Sequence, residues 1–347
     1  MRILFQLAVV LALALFPAVS WSQTSTSPAE TTTPEAPATD TSGVLAEAAV
    51  LPETLTMVEA GLYVLRLANV SPRDGRFDVD MWLWFRWSGT DARPHETFEL
   101  ANGIINSRSE TEILNDSGVN YATVRVQGTI FHDFDVRRYP LDNHVILIEL
   151  EDASLEDKFM QYIADSATAL DPEVVVSGWK VGLIQPRVES HRYPTDYGYR
   201  TDTDGASAYS RLIVPISLDR TSYGPLFKSF WISLLSVVLG LLTFLVKSDD
   251  LDARFGMGVG AVFAASANAF VISDSLPKTT IVTLAEQINL IAVGVIFLTV
   301  FISIWSLRLR YAERDEASLR LDRIALVSTS LLYLVLNIAV LTFDLSW

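Results

Sequence analysis

From residue 77 the chain alternates with a period of two. Phe77, Val79, Met81, Leu83, Phe85 and Trp87 are separated by Asp78, Asp80, Trp82, Trp84 and Arg86. Successive side chains of an extended strand point to opposite faces, so this stretch predicts a β-strand with one buried and one partly aromatic face. Similar strand signals recur at Gly61–Leu67, Tyr121–Ile130, Val145–Leu150, Val174–Leu183 and Tyr209–Leu218, with turn-forming residues at Ser71–Gly75, Asn115–Gly118 and Asp202–Gly205. Val145–Leu150 is short, β-branched and nearly all apolar, which predicts a strand buried on both faces. Many short strands at this spacing predict a β-sandwich over residues 49–222. From Tyr223 the pattern changes to four apolar segments, Leu226–Val246, Arg254–Ile272, Ile281–Leu307 and Ile324–Leu345. The first is long enough for a bilayer core of ~30 Å, the second is rich in Gly and Ala, and the last two are strongly apolar. They predict a four-helix transmembrane bundle over 223–347, joined by short connections at Lys247–Ala253, Ser273–Thr280 and Arg308–Arg323.

The first 22 residues carry Arg2, a mostly apolar run Ile3–Val19 and small residues at Ser20 and Ser22, the pattern of a signal peptide. Residues 23–48 are rich in Ser, Thr, Pro, Ala and Glu, with too little apolar surface to offset ordering entropy, and predict a disordered linker. The sandwich would then emerge on the periplasmic side of a bacterial inner membrane. Arg308, Arg310, Arg314, Arg320 and Arg323 fall in the connection expected on the cytoplasmic side, in agreement with the positive-inside rule. A net charge of −15 argues against nucleic acid as a partner, and the absence of cysteine excludes disulfides and thiolate metal sites. His95, His132, His144 and His191 have no metal-ligand spacing and are expected at surface or turn positions. Glu149, Glu151, Asp152, Glu156 and Asp157 form an acidic cluster, read as a solvated face with loose Ca²⁺ binding as its alternative. No motif for an enzyme or a cofactor is present.

Between strands, Phe131 and Phe134 precede Asp135, Arg137 and Arg138, and Tyr139-Pro140 and Leu141-Asp142 follow. Pro140 fixes its own φ and biases Tyr139 away from helix, while Asp142 can hold the turn through its side chain. This string, FHDFDVRRYPLDNHVILIELE, resembles the signature loop of the Cys-loop receptor superfamily, the pentameric ligand-gated ion channels. It departs from the animal receptors at their two bridging cysteines, where His132 and Ile146 stand, as prokaryotic members also do. GRFDVDMWLWFRW is similar to the family's second-strand motif, and SDSLPKTTIVTLAEQINL to its turn between the second and third helices, down to Leu276-Pro277. Trp179 and Arg220 match a strand tryptophan and a pre-membrane arginine. The family's mid-helix proline is missing from the first membrane segment, which reads WISLLS. The resemblance covers the chain from about residue 50 to its end.

It implies an extracellular, immunoglobulin-like sandwich of the receptor ligand-binding type on a four-helix channel domain, assembled as a homopentamer in a lipid bilayer. Aligned from Leu276-Pro277, the second helix bears Asp252, Gly256, Gly260, Phe263, Ala267, Phe270 and Asp274 at steps of three and four, hence on one face. Taken alone, this stripe suits either a pore wall or close helix packing through Gly256-x-x-x-Gly260. The resemblance implies pore lining; the acidic mouth then makes Asp252 the selector of cations, with Phe263 as gate, provided Arg254, about 200° round the helix, turns away, since facing the pore it would cancel Asp252 and favour anions. It also implies that Asp135, Arg137, Arg138, Tyr139, Pro140, Asp142, Arg220 and Pro277 couple the sandwich to the pore, the loop lying near Ser273–Lys278. Tyr193, Tyr197 and Tyr199, in a polar hairpin at about 186–208, are candidates for binding a small-molecule or ionic effector, with a self-packed surface loop as the alternative. The expected function is a ligand-gated, cation-conducting channel; the alternative is a non-conducting periplasmic sensor anchored by the same helices.

Overall fold

The computed structural model describes residues 55–90, 92–195, 197, 206–221 and 224–344. The expected signal peptide and linker lie outside them. Two sheets face each other. The first is built on β1 (Thr56–Ser71) and β2 (Arg76–Ser88), and β2 pairs along its whole length with β6 (Val119–Phe131). β4 (Gly103–Arg108) and β8 (Met160–Ala164) extend the order to β4-β6-β2-β1-β8, with β5 (Glu112–Asp116) also paired to β6 and β9 (Ala169–Leu170) to β1. The second sheet runs β10 (Trp179–Leu183), β12 (Ser207–Arg220), β7 (His144–Asp152), β3 (Phe98–Leu100), with β11 (Arg187–Tyr193) also paired to β12. The alternation in β2 has its predicted effect: Phe77, Val79, Met81, Leu83, Phe85 and Trp87 are all buried. Opposite them Ile146, Ile148, Leu150, Leu212, Val214 and Ile216 close the core. Each such large side chain contributes about 1.5–3 kcal/mol by leaving water.

Two strand expectations need correction. β7 is buried on one face only, because its antiparallel sheet leaves the other open; Val145 is 45% exposed and Leu147 half-buried. Of Val174–Leu183 only the last five residues form a strand. The chain turns at Gly178, whose φ of 83° is a left-handed conformation that glycine adopts without strain.

Four helices follow: α1 (Gly224–Leu242, continued by a 3₁₀ turn Thr243–Leu245), α2 (Leu251–Asp274), α3 (Leu284–Tyr311) and α4 (Asp315–Asp344). Three of them, α2, α3 and α4, are long and apolar enough to cross a membrane, while the apolar stretch of α1, Phe230–Leu245, is shorter. The predicted connection Arg308–Arg323 is almost entirely helical, leaving Ala312–Arg314 as the link. Arg308 and Arg310 end α3 and Asp315 and Glu316 begin α4, so each charge favours the dipole end it occupies. Arg310 and Asp315 pair across the link at 2.9 Å.

The bundle and the sandwich share one apolar core, since Ile272, Leu276 and Ala285 belong to the same cluster as Phe134 and Val136. Inside the bundle a polar knot holds α2. Asn268 Nδ2 donates to Ser233 Oγ at 2.8 Å and to Asn289 Oδ1 at 3.0 Å; Ser233 Oγ donates to Asn289 Oδ1 at 2.9 Å, and Asn289 Nδ2 to the Ala265 carbonyl at 3.2 Å. Asn289→Ala removes three of these bonds at once. A loss of roughly 1–2 kcal/mol is expected in thermal unfolding of the detergent-solubilised protein, and an unchanged transition would show that the knot adds nothing.

Candidate functional site

α2 starts where Asp250 caps it, accepting from Ala253 N at 3.2 Å. Its buried residues are Arg254, Gly258, Ala261, Ala265, Asn268 and Ile272. At about 100° per residue these fall on one side, and the stripe Asp252, Gly256, Gly260, Phe263, Ala267, Phe270 and Asp274 falls on the opposite side. Every residue of that stripe is exposed except Gly260, which is half-buried; Phe263 and Phe270 are 76% and 75% exposed. A Cβ at Gly256 would meet nothing within 4 Å, and one at Gly260 only Leu239 at 3.5 Å, whereas one at Gly258 would come to 2.9 Å from Val300. The close-packing glycine within the chain is therefore Gly258, and Gly256 faces outward. Beside the stripe an apolar groove of about 430 Å³ opens between α2 and α3, lined by Leu251, Phe255, Gly258, Val259, Phe297 and Val300 among others. Arg254 points inward and pairs with Asp322 of α4 at 2.5 Å. At the other end of the helix Asp274 pairs with Arg73, from the β1–β2 turn, at 3.0 Å.

The loop between β6 and β7 meets the bundle through its backbone. Leu284 N donates to the Arg137 carbonyl at 2.9 Å and Ala285 N to the Tyr139 carbonyl at 3.1 Å. These are among the first N–H groups of α3, which have no partner inside the helix. Thr283 and Glu286 complete the cap: Glu286 Oε2 accepts from Thr283 N at 2.8 Å, and Thr283 Oγ1 from Glu286 N at 3.3 Å. The loop thus bonds to the start of α3, six residues past the Ser273–Lys278 turn, within which Asp274 pairs with Arg73 of the β1–β2 turn and Leu276 joins the apolar cluster that holds Phe134 and Val136 of the loop. Leu276 is buried in the shared core and Pro277 half-buried. Asp135 and Arg137 pair with each other at 2.5 Å on the surface, Arg138 is exposed, and Pro140, joined to Tyr139 by a cis peptide, is buried.

Behind the loop lies a buried ionic node. Asp142, 1% exposed at its side chain, accepts from His144 Nε2 at 2.6 Å and from Arg220 Nε at 3.2 Å. The Arg220 guanidinium lies 4.0 Å from the Trp179 ring centre and 5.7 Å from that of Tyr139. Burial pushes the Asp142 carboxyl up, but the His144 hydrogen bond and the Arg220 charge outweigh it and hold it below the usual carboxylate range. His132 is lowered by burial and by the neighbouring His144, against the pull of Asp133, and Phe134 stands edge-on between the two rings at 4.8 and 5.0 Å. His95 and His144 are buried, contrary to the expectation of surface or turn histidines. At both positions a ring or ionic partner within the sandwich makes burial tolerable: Trp87 stacks on His95 at 5.3 Å.

The tyrosine hairpin contributes a second cluster at the far end of the sandwich. Tyr193 donates to Glu151 Oε2 at 2.8 Å and accepts from Arg211 Nη2 at 2.9 Å, while Arg211 pairs with Glu149 at 2.7 Å and Glu151 at 2.6 Å. Burial and the bond to Glu151 push the Tyr193 hydroxyl up to about 12. Tyr197 is 68% exposed with its ring 6.2 Å from that of Tyr193; Tyr199 lies outside the described residues. The acidic cluster is not a uniformly solvated face, since Glu151 and Asp152 are buried, and among the described residues no group of three His, Asp or Glu side chains is placed to hold a metal ion.

His132 and Asp142 are each held below their ordinary values, so the stability they contribute is complete above those values and is lost as pH falls through the depressed ones. The unfolding temperature should therefore drop in two stages on acidification, first below the usual histidine range and then below the usual carboxylate range. His132→Gln should shrink the first stage, to which His95, also lowered by burial, contributes the rest, and leave the second. Arg220→Met, which leaves the buried carboxylate with His144 alone, should cost about 3–5 kcal/mol at neutral pH, and an unchanged transition would contradict the node. No known protein-family model matches this chain.

Proposed function

We propose that the chain is a subunit of a cation-selective, pentameric ligand-gated channel of the Cys-loop receptor type, set in a bacterial inner membrane with its sandwich in the periplasm. One observation carries the reading. α2 presents a stripe, exposed at every position but the half-buried Gly260, with carboxylates at both ends, small residues between them and two phenylalanines, opposite the face that packs in its own chain. A stripe of that chemistry suits a water-filled lumen shared by several copies, and the neighbouring groove between α2 and α3 suits the flank of the next copy. In this reading α1 is the fourth span. Its 19 helical residues and three-residue 3₁₀ turn reach roughly 30 Å. The sandwich is then of the immunoglobulin-like ligand-binding type, and an effector seated near Tyr193 and Tyr197 shifts a closed–open equilibrium. The loop carbonyls on α3 and the Arg73–Asp274 pair carry that shift to both ends of the α2–α3 turn.

Selectivity follows from Coulomb's law. A cation ~4 Å from one carboxylate gains about 1 kcal/mol in bulk water and about 4 kcal/mol at an effective dielectric near 20. A ring of Asp252 side chains multiplies this while the open mouth and salt screen it, leaving a preference of a few kcal/mol over anions. Five Phe263 rings would narrow the lumen and close it by dewetting.

Purified protein in lipid vesicles under a salt gradient tests the reading. A reversal potential near that of the cation is expected, weakened by Asp252→Asn, and Phe263→Ala should raise the leak without effector. Absence of flux would favour the membrane-anchored sensor instead. Once an effector is in hand, Tyr193→Phe frees Glu151 and Arg211 and should raise its half-maximal concentration about tenfold, equal to a hydrogen bond of roughly 1.4 kcal/mol. An unshifted response would put the effector elsewhere.

A further inference from the structure

We propose that Asp322, on α4, sets the ion preference of the inner mouth by neutralising Arg254 inside the bundle; the proposal rests on the reading of α2 as a pore wall. Arg254 lies two residues from Asp252, so each copy brings one cation and one anion to the same end of α2. Which sign a permeating ion meets depends on where the guanidinium charge is compensated.

The compensation is built into the fold. Arg254 and Asp322 side chains are each 5% exposed, and they form a two-point contact, Nη2 to Oδ2 at 2.5 Å and Nη1 to Oδ1 at 3.3 Å. Nη2 and Nε are also bonded to the chain before α2. Nη2 donates to the Val246 carbonyl at 2.6 Å and to Ser248 Oγ at 3.4 Å, and Nε to the carbonyls of Val246 and Lys247 at 3.1 and 3.2 Å. Ser248 Oγ donates to Asp322 at 3.1 Å and lies 2.8 Å from Ser318 Oγ, which in turn is 2.8 Å from Ser306 Oγ. The unit is electrically neutral and shut off from the exposed face, where Asp250 and Asp252 stand beside Asp249, itself 4.0 Å from Arg310, and the exposed Lys247.

Without the Asp322 charge, five guanidinium groups at the first turn of α2 are uncompensated. Arginine so placed extends its stem toward the nearest water, here the mouth at the start of α2. Even an unmoved guanidinium lies only about one helix diameter, ~10 Å, from the pore-facing side, close enough to offset much of the Asp252 field. The residue that decides selectivity therefore sits on the helix farthest from the lumen.

Reversal potentials of the full-length protein in vesicles, measured across a KCl gradient, test this. Asp322→Asn should lower the cation-to-anion permeability ratio about tenfold or invert it, and adding Arg254→Gln to that variant should bring the ratio back to the wild-type value. A merely structural Asp322 would reduce the number of channels without moving the ratio, so an unchanged ratio in Asp322→Asn overturns the proposal, as does a double variant that stays shifted. If Asp322→Asn does not assemble alone, co-reconstitution with wild-type chains reads the same effect as a shift graded with the variant fraction, and a flat response overturns it. A wild type that conducts nothing fails earlier and overturns the pore reading itself, whereas a cation-selective wild type with an insensitive variant overturns this proposal only.

Discussion

A carboxylate sealed from water is tolerable only while its cations stay in place, and the membrane-facing end of the sandwich is arranged around one such group, Asp142. His144 comes from the start of β7 and Arg220 from the end of β12, so their contacts with Asp142 lock the two central strands of the second sheet together at that end. Arg220 in turn lies over the rings of Trp179 and Tyr139, and Tyr139 lends its carbonyl to the first turn of α3. One buried ion therefore fixes the strand ends, the loop path and the seat of a helix. The contact with the bundle is made by backbone atoms, so it depends on the shape of the loop more than on any one of its side chains.

α2 shows the same economy within one element. Its inward face is small and polar enough to pack against α1 and α3 and to join the Asn268 knot, and its outward face is left largely exposed, with Asp274 at its end paired to Arg73. A glycine on each face serves a different end: Gly258 lets Val300 approach, while Gly256 leaves space.

How much of this was legible follows from the physics of each signal. β2 was plain because six consecutive inward positions are apolar, and period two has no competing explanation there. β7 was misread because Val145 and Leu147 are apolar on a face that the sheet leaves open, and burial cannot be told from hydrophobicity alone. The α3–α4 turn looked like a loop because it is rich in arginine, although arginine is a good helix former and sits here at a helix C-terminus. The stripe on α2 was readable from spacing. Its counterweight, Asp322, was not, because a partner 68 residues away leaves no local pattern. The capping of α3 by Arg137 and Tyr139 was equally invisible, since carbonyl groups carry no sequence signature. Thr283-x-x-Glu286, by contrast, is a capping box that could have marked the helix start and passed unnoticed.

The last helix is held very unevenly. Its link to α3 is three residues, and Ser318, Asp322, Ala325 and Thr329 are buried in its first half, while beyond Thr329 no described residue of it is buried. α4 is some 45 Å long, and past Thr329 it meets its own chain only through half-buried residues such as Tyr333, which packs on the apolar cluster of the bundle. Its firmest anchorage is thus gathered around the ion pair that keeps Arg254 out of sight.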